Sequence, residues 1–101
     1  MKKTLLVATL AAISAASQAA TIFSDNFDAN AYGLNATPNG WTVSSGTVDI
    51  IGQSTLYDLC GAGHGLCIDL DGSSSDAGIL SRALHLTAGV QYTARFDLAG
   101  N

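Results

Sequence analysis

Both cysteines of the chain, one of its two histidines and three of its eight aspartates lie between Cys60 and Asp76. These residue types at these spacings admit several chemistries. Cys60 and Cys67 bracket Gly61, Gly63 and Gly65, and a glycine-rich segment bends easily enough for the two thiols to close a ring. With His64 between them they could instead begin a metal site, but that site needs a fourth ligand, and structural zinc uses tighter cysteine spacings. Two cysteines in an exported chain pair, because the compartments outside the cytoplasm are oxidising. A Cys60–Cys67 disulfide is the expectation.

Asp69 and Asp71 stand two apart, so on a strand both carboxylates leave the same face. Three readings follow. They face solvent while Ile68 and Leu70 face inward; they bind calcium together with Asp76 or turn carbonyls, since hard cations take carboxylate and carbonyl oxygens; or they form a glycosidase acid/base pair. The last is disfavoured because such carboxylates come from separate elements across a cleft. Gly72 follows Asp71 directly, which departs from the EF-hand pattern. The solvent-facing reading is preferred, and Asp69, Asp71 and Asp76 stay as the calcium alternative. Neither His64 nor His85 has a nucleophile elbow near it, and Gly-x-Ser-x-Gly is absent, so no catalytic residue is assigned. Asp25, Asn26, Asp28 and Asn30 form a second oxygen-rich cluster, read as a turn with Asx caps. Trp41 and the tyrosines offer faces for sugar stacking, but Trp41 opens an alternating strand and is assigned to the core.

The elements that position these residues are short strands. Thr21–Phe23 reads as one. Trp41–Ser44 and Thr47–Ile51 read as a hairpin turning at Ser45-Gly46, with Trp41, Val43, Val48 and Ile50 inward. Residues 29–40 are irregular, and in an exported bacterial chain the Asn35-Ala36-Thr37 sequon is a chance match. Leu56, Tyr57 and Leu59 are expected to pack on the sheet from a loop. Cys67–Asp71 is a strand, Gly72–Asp76 a polar loop, and Gly78–Leu86 one or two further strands with His85 outward. After a turn at Thr87-Ala88-Gly89, Val90, Tyr92, Ala94, Phe96 and Leu98 alternate with polar residues, the pattern of a nine-residue strand with one buried face.

Residues 1–19 have the form of a bacterial secretory signal: Lys2 and Lys3, a largely apolar run at residues 4–16, and small residues at Ser17 and Ala19. The run is too short for a membrane anchor. Removing 19 of the 101 residues leaves 82, with two arginines against eight aspartates, a formal charge of −6. That balance argues against nucleic acid and anionic membrane as partners. The remaining chain has Asp but neither Glu nor Lys, and is rich in Gly, Ser and Asn, a composition of turns and strands. It is sized for one small domain.

Phe23-Ser24-Asp25-Asn26-Phe27-Asp28, Gly40-Trp41-Thr42-Val43, Gly46-Thr47-Val48-Asp49-Ile50-Ile51, Asp69-Leu70-Asp71-Gly72 and Leu86-Thr87-Ala88-Gly89 through Phe96-Asp97-Leu98-Ala99-Gly100-Asn101 occur in an order that resembles exported bacterial proteins of the PEP-CTERM group. The N-terminal module of that group is similar to galactose-binding-like jelly rolls, and the resemblance spans residues 22–101. It implies an all-β, jelly-roll-like β-sandwich on the cell surface, associated with exopolysaccharide, in which a structural calcium is sometimes held. Strands that would follow Asn101, and the Pro-Glu-Pro sorting tail, are not in the sequence, so an incomplete sandwich is expected and membrane anchoring is unassigned. The expected function is a secreted or surface protein, non-catalytic, with carbohydrate-binding potential. A purely structural surface protein and, less favoured, an extracellular hydrolase are the alternatives.

Overall fold

The computed structural model describes residues 20–52 and 55–99. The signal-sequence expectation falls on residues 1–19, outside the described residues. All regular structure among the described residues is β, in four short strands: β1 Thr42–Ser44, β2 Asp49–Gly52, β3 Leu66–Asp69 and β4 Ile79–Ser81. They form two antiparallel pairs, β1 with β4 and β2 with β3. The all-β class is as the composition requires.

The core is built on β2. Val48, Ile50 and Ile51 are buried, as is Pro38. β-Branched side chains suit such a strand because they fill both faces of the pleat. Ile51 is buried along with Ile50, so both faces of β2 are covered, and both of its edges are paired as well. β3 runs along one, with Ile50 opposite Ile68 and Ile51 opposite Cys67. On the other, the irregular segment after Tyr32 acts as a third, broken strand. Gly33 and Ile50 exchange both backbone hydrogen bonds, and the Ala36 N–H donates to the Val48 carbonyl.

The expected hairpin between β1 and β2 does not form. Ser45 and Gly46 both have positive φ, as a tight turn requires, but the chain beyond them is captured elsewhere. The Thr47 N–H donates to the Asp76 carbonyl and the Thr47 carbonyl accepts from the Gly78 N–H. Both backbone groups of Thr47 are thereby used by the 72–78 loop, which runs parallel to it at Ala77. Close approach is possible because Gly72 and Gly78 have no Cβ; one at either position would collide with Thr47. The stretch expected as a free polar loop is therefore docked on the core strand, and β1 is left to pair with β4.

β4 stops at Ser81, opposite Thr42, because β1 starts there: the Trp41 N–H turns back to the Pro38 carbonyl. Leu84 and Leu86 lie past the end of the ladder and are exposed, so His85 is not on a strand. Thr21–Phe23 likewise carries no ladder. Leu56, Tyr57 and Leu59 are exposed and do not pack on the sheet as expected. The turn at Thr87 is present, with the Val90 N–H bonded to the Thr87 carbonyl and Gly89 at φ 79°. The backbone N–H of Thr87 also donates to the Tyr92 hydroxyl at 2.9 Å. That bond, helped by the Thr87 side chain, stabilises the phenolate and holds the Tyr92 pKa below its ordinary value.

The nine-residue strand from Val90 to Leu98 is the largest correction. The segment pairs with none of the four strands. Its apolar positions are exposed, Phe96 by 81% and Leu98 by 85%. Alternation gives a segment a face to bury, but a strand also needs a neighbour for its N–H and C=O groups. None of the described elements is placed to supply one.

Candidate functional site

Short carboxylates organise the site. Asp25 accepts the Phe27 N–H on Oδ1 at 2.8 Å, and Asn26 accepts the Asp28 N–H on its side-chain oxygen at 3.1 Å. These are two overlapping Asx turns, as the cluster predicts, and they hold Phe27 at φ 64°. The second oxygen of Asp25 accepts the Trp41 Nε1–H at 2.7 Å. Phe23 meets the indole edge-on at 5.9 Å between centroids, and Phe27 lies tilted against it at 5.6 Å. Arg82 covers the Phe23 ring, 4.3 Å from its centroid. Trp41 is thus part of a half-buried aromatic corner just before β1, apart from the buried core of Val48, Ile50 and Ile51 to which the sequence assigned it.

Asp28 reaches further. Its Oδ1 accepts the backbone N–H of Leu66, the first residue of β3, at 2.8 Å. A Cβ at Gly65 would press on that carboxylate and push it off the Leu66 N–H. Asp49 is 4% exposed and holds two loops to β2. Its Oδ1 accepts the N–H of Asn35 at 2.7 Å and of Ser73 at 3.1 Å, and its Oδ2 accepts the Ser73 hydroxyl at 2.5 Å. A buried carboxylate needs such donors to replace water. Register adds to that need: Asp69 stands directly across the ladder from Asp49. Sequence reasoning placed Asp49 on a strand but did not see this role. The available signal was an acidic residue between Val48 and Ile50, both inward positions.

Cys60 and Cys67 are joined, with Sγ atoms 2.10 Å and Cα atoms 5.7 Å apart. The disulfide ties the 60–65 loop to the middle of β3. His64, at the tip of that loop, is half exposed and lies 3.4 Å from the Asp97 carboxylate, an ion pair when the imidazole is protonated.

Between this loop, the 25–27 corner, β3 and residues 95–99 lies an open cleft of about 790 Å³. Asp25, Asn26, Asp69 and Asp71 line it beside His64, Arg95 and Asp97, and Phe27, Ile51 and Leu59 are among its apolar lining residues. Asp69 and Asp71 are not successive residues of one strand face. β3 ends at Asp69, whose Oδ1 accepts the Asp71 N–H at 3.0 Å as the chain bends. Leu70 is exposed, not inward. Asp76 does not join them: it lies in the loop docked on Thr47 and does not line the cleft. Among the described residues, no three His, Cys, Asp or Glu side chains are placed to share a metal ion, and Asp76 stands apart from Asp69 and Asp71.

Compared with family models, with curated proteins and with solved structures, the chain has no significant match.

Proposed function

We propose that this chain is an exported, non-catalytic surface protein of the PEP-CTERM type, built on a galactose-binding-like β-sandwich, with a cleft that takes a sugar unit of an extracellular polysaccharide. The observation that carries the reading is the composition of the cleft. It is of small-ligand size and is lined by Asp69 and Asp71 beside the apolar side chains of Phe27 and Leu59. A sugar has hydroxyl donors around its rim and C–H groups on its faces, so such a wall suits it. The carboxylates belong to the rim of an acidic domain, which favours a neutral sugar over an anionic one.

Two measurements test the proposal. A glycan array probed with the purified full chain should show binding to neutral glycans, weakened about tenfold by Asp69→Asn or Asp71→Asn as carboxylate acceptors are lost. No binding above background would overturn the carbohydrate reading and favour a purely structural surface protein. N-terminal sequencing of protein recovered outside the cytoplasm should begin at Ala20 or Thr21. An intact Met1 there would overturn the export signal.

A further inference from the structure

The segment from Thr93 to Ala99 has no ladder partner among the described residues and carries an exposed apolar face, with Phe96 and Leu98 its most exposed apolar side chains. An edge of that kind is a template for another strand. Its own sequence describes the strand that fits it. Laid antiparallel on a second copy with Phe96 facing Phe96, the pairing sets Arg95 opposite Asp97 and, by symmetry, Asp97 opposite Arg95. On the other face Ala94 meets Leu98, small against large, on either side of the paired phenyl rings. Opposite charges and aromatic pairs at directly opposed positions are the stabilising contacts of an antiparallel ladder. Other symmetric registers lose these contacts. With residue 95 facing itself, two guanidinium groups oppose each other. With residue 94 facing itself, Arg95 meets Thr93 and Asp97 meets Gln91, and both charges go unpaired.

We propose that residues 93–99 form a self-complementary strand through which two copies of this chain associate, in the register that pairs Arg95 with Asp97 of the second copy. The interface is isologous, as a two-fold dimer requires. Asp97 is exposed at the surface: 86% of its side chain is accessible, and among the described residues its ion-pair contact is the 3.4 Å approach to His64. Closing the edge also removes an open template from the surface.

The test is charge exchange in the full chain, read by sedimentation velocity over a concentration series, with residues 1–19 common to every arm. The unaltered protein should show a reversible monomer–dimer equilibrium. Arg95→Asp, which leaves two acidic residues facing each other in both symmetric pairs, should weaken it about tenfold, and Asp97→Arg should do the same with two basic residues. Combining both substitutions in one chain should restore the dimer. Mixing the two single variants should give a heterodimer, because their strands are then oppositely charged. A monomer at every concentration would overturn the proposal and leave the edge to a different strand. Self-association indifferent to these exchanges would overturn it equally, since a contact made elsewhere on the chain, or in another register, does not read residues 95 and 97.

Discussion

Replacing Asp49 with alanine should cost this small domain about 2–4 kcal/mol. The carboxylate accepts three hydrogen bonds, from Asn35 N–H, Ser73 N–H and the Ser73 hydroxyl. Bonds to a charged acceptor contribute roughly 1.5–3 kcal/mol each, before the donors find alternatives. Two features reduce the sum. Ser73 N–H keeps a second acceptor in the Asn35 side chain at 3.1 Å, and Ser73 is exposed enough for water to reach its hydroxyl. The Asn35 N–H, bonded to Asp49 at 2.7 Å, has more to lose. Asp49→Asn should cost less, about 1 kcal/mol or under, because an amide oxygen still accepts both N–H groups and the substitution removes a like charge opposite Asp69. Urea unfolding followed by the fluorescence of Trp41, the single tryptophan, measures both, with the m-value checking that the unfolded state is unchanged. A double-mutant cycle with Ser73→Ala should return a coupling of about 1–2 kcal/mol. If Asp49→Ala and the unaltered protein unfold within about 0.5 kcal/mol of each other, the loops are not held by this carboxylate and the reasoning fails.

Other perturbations read other contacts. Reducing the Cys60–Cys67 disulfide opens an eight-residue ring and should lower stability by about 2–3 kcal/mol on the chain-entropy account, checked by urea unfolding with and without reductant; an unchanged midpoint would remove the staple from the fold's support. Gly65→Ala should displace Asp28 from the Leu66 N–H and cost about 1–3 kcal/mol, with little further loss when Asp28→Ala is added, because the two changes break the same contact. Additive losses would show that they do not share it. Trp41→Phe keeps an aromatic ring but leaves Asp25 without the indole N–H, and should cost about 1–2 kcal/mol in the same unfolding assay. EDTA should leave the melting temperature unchanged, since Asp76 stands apart from Asp69 and Asp71; a chelator-sensitive melt would return those two to consideration as ligands.

The contacts legible in the sequence were the local ones. The Asx turns at Asp25–Asp28 depend on side chains two residues from the N–H groups they bind, and both partners can be read off a short string. The disulfide followed from the expected export and the cysteine count, and the burial of Val48 and Ile50 from alternation. What sequence could not show was which segment would take the open hydrogen-bonding groups of each strand. Ser45-Gly46 has the backbone conformation of a hairpin turn, yet Thr47 is claimed by a loop some thirty residues on, and only the absence of Cβ atoms at Gly72 and Gly78 allows it. The Val90–Leu98 pattern failed for the same reason. Periodicity specifies a face, and pairing is decided by what stands beside it.

The acidity of the chain also changes meaning. Eight aspartates and no glutamate first suggested a surface with a preference among partners. Four of them, Asp25, Asp28, Asp49 and Asp69, accept backbone N–H groups at turns, a strand start or a buried junction. A carboxylate one methylene from the backbone can reach an N–H two residues on; glutamate, longer and with more rotamer freedom to lose, is poorly suited to the same bond. The bias toward aspartate therefore suits a chain whose described residues form short strands and turns, with backbone donors that no ladder takes up. These carboxylates support the fold first. Asp69 puts one oxygen into such a bond and lines the cleft as well, so a ligand there meets a group already fixed by its turn, whereas both oxygens of Asp25 are taken by the Phe27 N–H and the Trp41 indole.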